Sequence, residues 1–594
     1  MTAKISLALL SVSLLLIVPA FPFERTVTNT DDAGAGSLRQ TITDALPGDT
    51  IVFDSDLSGT TILLDEQIVI MKTLAIDGSS LAERITLSGN GSNRVLNGFP
   101  NIVIEIDSLI FRDGKAPDGT SGTGENGGAI MSFSTLRVHN SLFLDNSAGT
   151  GSSATAGGSG GAIFIQGVLE LTNCVFENNS AGGGGGGADN GGIGGSGGAI
   201  VSSGVLLASG CVFEGNSAGD GANAANASFS AGAGGNGGAI SFNTGISPNG
   251  SVSISDSTFV GNLAGNAGDG GTSAPIGGQG GAIALYGDNS SIIRCTFYSN
   301  SAGEGGKGGN SSGPGGSGNG GLGGSGGAVI AFGEATISSS TFTDNYAADG
   351  GNSGGSSGNG GLGGFGGAIY SFSLLELEHV TVTGNHSGVG GLGSAQPGFT
   401  GRGGGVNVFT GSLSLNNCVI AGNLSLSNAP DIEMNGSSFD ILAGANFIGD
   451  NGIADALLPV GSPNVNGDFV GDAGAELDPL LGPLADNGGL TLTMLPLAGS
   501  LLIDPVGGDT ASDSPTDQRG FTRVAGGIVD IGAVETQVAP PPPVADNSAL
   551  IASLQNKISK FKKKSKAAKR KGQKAKAAKF KSKIKKLIQQ IARL

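Results

Sequence analysis

The chain has no tryptophan and few tyrosines (4), histidines (3), cysteines (4) and methionines (5) among its 594 residues. Aromatics are 5%, a scarcity that counts against a carbohydrate-processing cleft, which offers flat rings to its sugars. Three histidines with no metal-ligand spacing to one another or to a cysteine exclude a recognisable zinc site. Although glycine counts 113, no strict glycine–proline period runs through the chain, which excludes collagen. Ile5 to Val18 is almost wholly apolar but too short to span comfortably as a mature helix, and no other segment can cross a bilayer as a helix. With Lys4 before it and Val18 and Ala20 at small-residue positions, it reads as an export signal over 1–20, cleaved near Phe21.

Charge is divided. Residues 544–594 hold 17 Lys/Arg and one acid, Asp546, a balance of +16; the remainder holds 14 basic and 47 acidic residues, −33, which together give the net −17. An acidic body with a basic tail implies two surfaces and two kinds of partner.

What the chain does have is a repeat. Gly-Gly-Ala-Ile recurs with its alanine at Ala129, Ala162, Ala199, Ala239, Ala282, Ala328 and Ala368, and Gly405 takes that place in an eighth copy. Each copy is followed by Phe-x-x-Asn, ending at Asn146, Asn179, Asn216, Asn262, Asn300, Asn345, Asn385 and Asn423, with Val382 and Ile420 replacing Phe in the last two. Alanine to asparagine takes 17 or 18 residues in seven copies and 23 in one; asparagine to the next alanine takes 16, 20, 23, 20, 28, 23 and 20. The variable part is Gly/Ser/Asn-rich and cannot build an apolar core of its own, so it reads as loops at one corner of a coil.

The constant part predicts strands. Counting back from Asn179, apolar residues fall at −10 and −8 (Leu169, Leu171) and at −5 and −3 (Cys174, Phe176). Steps of two mean strand alternation, and the intervening step of three places a corner. With the Gly-Gly-Ala-Ile strand this gives three strands per coil: an all-β, right-handed parallel β-helix solenoid of the pectin-lyase type. Most of the residues before the asparagines suit left-handed or turn conformations, and the asparagines are expected to stack in a ladder from coil to coil. Cys174, Cys211, Cys295 and Cys418 all stand at −5, a small inward position, which predicts four buried free thiols rather than disulfides.

A solenoid needs caps. Ser37–Ala45 has helical spacing through Leu38, Ile42, Ala45 and Leu46, and predicts a capping helix in a region 21–125 that also carries the first coils, with strand-like runs at Ile51–Phe53, Thr61–Leu64, Ile68–Ile70, Leu74–Ile76 and Ile102–Phe111. The repeat region is 126–424; 425–538 reads as final coils and cap; 539–544 is a stiff Pro-rich spacer. In 545–594, Leu550, Ile551, Leu554, Ile558 and Phe561, then Phe580, Ile584, Leu587, Ile588 and Ile591, fall on helical faces either side of Gly572, which predicts two basic amphipathic helices.

The paired Gly-Gly-Ala-Ile and Phe-x-x-Asn motifs over 126–424 resemble the repeat of the polymorphic outer-membrane proteins, secreted β-helical surface proteins of which many are adhesins. No β-barrel translocator follows the repeats here. The opening TVTNTDDAGAGSLRQTITDALPGDTIVFD is similar to the N-terminal segment of a broader group of bacterial β-helix proteins. DPLLGPLADNGGLTLTMLPLAGSLLIDP with TDQRGFTRVAGGIVDIGAVE is similar to the choice-of-anchor domain, which is followed by differing surface-attachment segments. The resemblance implies that the Lys-rich tail is the attachment device.

No catalytic residue emerges. Gly157–Gly161, Gly194–Gly198 and Gly323–Gly327 match G-x-S-x-G but lack the strand–turn–helix and histidine partner of a nucleophile elbow. Lys307 in GGKGG lacks the Ser/Thr of a phosphate loop. His139, beside a coil corner, and His386, after a ladder asparagine, read with His379 as surface residues. Asp145 and Asp344 share a repeat position five coils apart, about 24 Å at strand spacing, too far to cooperate. Calcium on the acidic body stays open; the G-G-x-G-x-D nonapeptide is not repeated.

These observations predict a cell-surface or extracellular binding or adhesion protein. Its Gly-rich loop face would meet a surface or glycan ligand, and its tail an anionic envelope polymer or lipid. No cofactor, no specific nucleic-acid site and a monomeric state are expected. The alternatives are a pectate-lyase-like polysaccharide-degrading enzyme and a structural matrix or envelope component.

Overall fold

The computed structural model describes residues 23–537, apart from 188, 227, 244–249, 272–274, 310–317, 428–429, 436–437, 440–443 and 453–457, together with 557–565 and 574–591. The export signal, the Pro-rich spacer, the first residues of the tail and Gly572 lie outside the described residues. The chain forms two compact units, Met1–Thr536 and Gln537–Leu594.

The first unit is a parallel β-helix solenoid. Equivalent strands stack in parallel register, as in Ile130↔Ile163↔Ile200↔Ile240↔Ile283↔Val329↔Ile369↔Val406. The third strand of each coil aligns Phe111, Phe143, Phe176, Phe213, Phe259, Phe297 and Phe342. Their rings stack face to face at 4.5–4.9 Å in the core, at the spacing of neighbouring strands. The three strands per coil form two hydrogen-bonded sheets, of 22 and 13 strands, rather than three. Ile163–Thr172 and Ile200–Ser209 run unbroken round the first corner, with Gly167 and Gly204 paired at the bend.

Three positions per coil are left-handed, one of them the glycine two residues before the motif alanine, with φ of 62–69° from Gly127 to Gly403. The residue before the asparagine has φ of 52–69° in all eight copies, Asp145 and Asp344 included, and so does the corner residue at −6, with φ of 43–65° from Asn140 to Asn417. Inside, each asparagine side chain bridges coils. Asn262 Nδ2 donates to Asn300 Oδ1 at 2.9 Å and to Phe213 O at 3.0 Å, and Asn262 Oδ1 accepts from Asn216 N and Nδ2. The ladder runs unbroken from Asn146 to Asn423 and ends on Asp431 Oδ1. The four cysteines are buried free thiols. The serines at the same position accept an N–H from the coil before, as Ser340 Oγ does from Cys295 N.

Helix Leu38–Asp44 is capped by Ser37 and buries Leu38, Thr41 and Ile42; Leu46 lies beyond its end and is exposed. The expected single strand at Ile102–Phe111 is two, Val103–Asp107 and Ile110–Arg112, broken at the left-handed Ser108. That is a further copy of the corner, with Phe111 starting the ring stack. Only part of 425–538 adds coils, through Ile432–Met434, Ser438–Phe439, Phe447–Ile448 and Phe469–Val470. The chain then turns back as a strap across earlier coils. Gln518 hydrogen-bonds Thr341, Thr296 and Cys295 O; buried Arg523 bonds Ser339; Ala533 N donates to Thr381 Oγ1. These polar contacts settle the outward-facing threonines of the third strands, which are buried.

The second unit contains a helical stretch at 557–565 and the helix Lys574–Ile591. Phe561 and Phe580 stack at 5.9 Å, with Lys583 Nζ 5.5 Å from the Phe561 ring centre. The two rings therefore cover each other, while lysines 557, 560, 562–564, 579, 581, 583, 585 and 586 are exposed.

Candidate binding faces

The Gly-rich inserts are ordered layers. In the loop after Asn345, Ala348 and Gly351 donate backward to Gly324 O and Gly321 O, and Gly350 and Ser353 donate forward to Val389 O and Leu392 O; in the returning arm Gly360 and Gly363 donate forward to Gln396 O and Phe399 O, while Gly361 and Gly364 donate to Gly351 O and Ala348 O of the same loop. Each arm thus repeats every three residues: one amide to the layer after, one to the layer before (outgoing arm) or to the partner arm of its own layer (returning arm), and one side chain outward. That is the period of a polyproline-type helix, which has no internal hydrogen bonds and so keeps every peptide group free for its neighbours. The inserts are loops at a corner of the coil, as their composition predicts, and their layers are held by peptide hydrogen bonds between arms and between loops rather than by buried apolar area.

Glycine is required for room. A Cβ on Gly195 would lie 1.9 Å from Gly158 O, and one on Gly219 would lie 2.0 Å from Gly182 O. Neither residue has a positive φ, so it is the close approach of neighbouring peptides that excludes a side chain.

Outward positions form columns along the solenoid. Four and seven residues after the ladder asparagines from Asn216 to Asn385 stand Asp220, Asn266, Glu304, Asp349 and Val389, then Asn223, Asp269, Lys307, Asn352 and Leu392; many of the polar ones accept the amide of the next layer, as Asp269 Oδ1 does from Lys307 N at 2.7 Å. Six residues before each motif alanine stand Ala156, Ile193, Ala233, Ile276, Leu322, Leu362 and Phe399; nine before, the described ones include Asn190, Ser230, Asn319, Asn359 and Gln396. The last two columns wall a groove of about 510 Å³ with a glycine floor. The first two wall one of about 460 Å³ that carries Asp269, Glu304 and Asp349 with Lys307.

A second aromatic column, Tyr286, Phe332 and Phe372, stacks at 4.7 and 4.9 Å outside the Gly-Gly-Ala-Ile strands, with Phe409 edge-on at 5.5 Å. Sequence scarcity hid this concentration, although the four residues share one repeat position. Their faces are spent on one another, so the column offers ring edges.

The motif serines are structural. Ser159, Ser196 and Ser325 form part of one column and accept the amides of Ser196, Asn236 and Phe365. Lys307 belongs to the polar column. Asp145 and Asp344 are exposed turn residues in separate coils. His379 corrects the surface reading: it occupies a left-handed corner, is buried under the strap, and bonds Ser512 Oγ at 2.9 Å through Nε2. Burial pushes its pKa down to about 2, with the Arg523 charge acting in the same direction. His386 is half-buried, stacked on Tyr346 at 4.6 Å, and burial lowers its pKa; His139 is half-buried. Among the described residues, no group of three or more His, Cys, Asp or Glu is placed to hold a metal ion.

No protein-family model matches the chain. Comparison with the curated proteins returns no match. The faces themselves carry the functional argument.

Proposed function

We propose that this is an exported, surface-associated binding protein, acting in adhesion. The loop layers present its ligand-contacting columns, and the Lys-rich tail attaches it to an anionic envelope polymer or lipid. The observation that carries this reading is the loop array. Layers locked by peptide hydrogen bonds hold side chains at fixed places, so the columns repeat at about 4.8 Å from layer to layer over five to seven coils. A regular, rigid display loses little entropy on binding and suits a repetitive target such as a glycan or a packed surface. Column chemistry changes from coil to coil while the glycine floor stays, which separates recognition from architecture. In the tail, exposed lysines around a ring-stacked helix pair support attachment by counterion release.

The test compares the full chain with a version ending at Ala539 by cell fractionation in rising salt. Retention of the full chain on the surface, with release by truncation or by salt, is expected. Recovery of both versions in the medium at low salt overturns the attachment, and attachment unchanged at about 1 M salt, where screening reaches about 3 Å, overturns its electrostatic basis.

A further inference from the structure

The tail unit hides its apolar side and carries charge on opposite outer sides. Phe561 and Phe580 stack on each other at 5.9 Å, which turns the apolar faces of the stretch 557–565 and of the helix Lys574–Ile591 toward one another. Ile558, Phe561, Phe580, Ile584 and Leu587 are half-buried, and no large apolar side chain among the described residues of this unit is exposed. Lys564 and Lys583 flank the junction, 5.9 and 5.5 Å from the centre of the Phe561 ring. At about 100° per residue, Lys562 and Lys563 stand about 100° and 160° round the first helix from Phe561, and Lys581 and Lys586 about 100° and 120° round the second from Phe580. All four are exposed. Because the two rings face each other, the far sides of the helices point away from each other, and lysines stand on both.

We propose that the tail unit binds a flexible, linear polyanion that reaches both of its outer sides, rather than a bilayer or a nucleic-acid duplex. This deepens the attachment reading and rests on it: of the anionic envelope polymer and the lipid, it selects the polymer. A helix that lies in a bilayer interface sinks an apolar face into the acyl boundary, and here that face is spent on the other helix. A flat bilayer then meets lysines on one outer side only. So does duplex DNA, which stays straight over about 500 Å, whereas the helix pair is about 20 Å across. A single flexible chain passes round the pair and neutralises both sides at once. The residue type agrees. Residues 544–594 hold 15 Lys and only 2 Arg. Lysine is a point charge on a flexible stem, without the planar fork that reads the geometry of one anionic group. The unit therefore selects for reach, and a chain of phosphates or of carboxylates serves alike.

The experiment uses the full chain, with the version ending at Ala539 as the blank. Its probes are linear polyphosphate and alginate, one a phosphate chain and the other a carboxylate chain, set against phosphatidylglycerol vesicles and a short DNA duplex at about 50 mM salt. Tail-dependent binding is expected to be at least about tenfold tighter, per anionic charge, for a flexible polymer than for vesicles or duplex, because lysines on the second side are reached as well. The tighter of the two polymers tells phosphate from carboxylate. Lys562→Gln with Lys563→Gln, and Lys581→Gln with Lys586→Gln, alter exposed side chains on opposite sides. Each pair should weaken polymer binding about tenfold or more and lower the slope of log affinity against log salt by about one to two. Vesicles or duplex bound as tightly as the polymers, or a loss confined to one of the two pairs, overturns the proposal and leaves the attachment standing. If no probe binds the full chain better than the version ending at Ala539, the attachment reading falls with it.

Discussion

Replacing Gly195 by alanine tests the layered loops directly. The added Cβ would lie 1.9 Å from Gly158 O, where an ordinary carbon–oxygen contact needs about 3.3 Å, so the arm must move by about 1.4 Å. That displacement breaks Gly195 N–H to Gly182 O and Gly219 N–H to Gly195 O, both 2.8 Å. Two net hydrogen bonds are worth about 2 kcal/mol, and peptide groups left unpaired add to that. The lower chain entropy of alanine returns about 0.4–1 kcal/mol. The expected net loss is about 2–4 kcal/mol. Gly186 in the same insert is the control, since nothing lies within 4 Å of its Cβ position; Gly186→Ala should be neutral or slightly stabilising. Because a solenoid can open locally, the assay is hydrogen exchange at Gly219 alongside thermal melting. If the loops were solvated coil, both substitutions would behave alike, so values within about 0.5 kcal/mol of each other refute the layered structure.

Other outcomes follow from the interior. Asn262→Leu strips a buried carboxamide of four partners and strands the Asn216 and Phe213 groups; a loss of about 3 kcal/mol or more is expected in chemical denaturation, and a loss below about 1 kcal/mol counts against the ladder. Cys295 and Cys418, whose thiols burial pushes up to about 12, should resist a thiol reagent at pH 8 until the protein is unfolded; rapid labelling of the native chain contradicts their burial. Burial also raises Asp431 to about 7. The folded state then binds the proton more tightly than the unfolded one, so stability falls as pH rises from about 4 to about 7. Melting should occur at lower temperature at pH 8 than at pH 5, and Asp431→Asn should flatten that slope; an unaltered slope removes Asp431 as its source.

The coils were legible because their determinants lie within about ten residues of each asparagine. Alternation at −10, −8, −5 and −3 and the turn residue at −1 set strands, corner and ladder together. The corner residue at −6 was less visible, since Asn140, Arg294, Ser339 and His379 share no side-chain chemistry, only a left-handed φ. That is why His379 read as a surface residue: the strap that buries it through Ser512 comes from 133 residues away. The internal order of the loops was not legible for a different reason. Apolar periodicity is the signal usually read, and these layers are specified by glycine at positions where peptides touch. Their three-residue period was present in the sequence, in residues such as Asp220 and Asn223 or Asn359 and Leu362, but not in hydrophobicity.

The threefold period of the arms makes insert length a quantised variable. Between the asparagine of one coil and the alanine of the next, five of the seven inserts measure 20 or 23 residues, one helical turn apart. Adding or deleting a triplet lengthens or shortens an arm without rotating any column out of phase, whereas a single-residue change turns every outward position inward against a neighbouring peptide. Reach from the solenoid can therefore drift through evolution in discrete steps while the register of all other layers is kept.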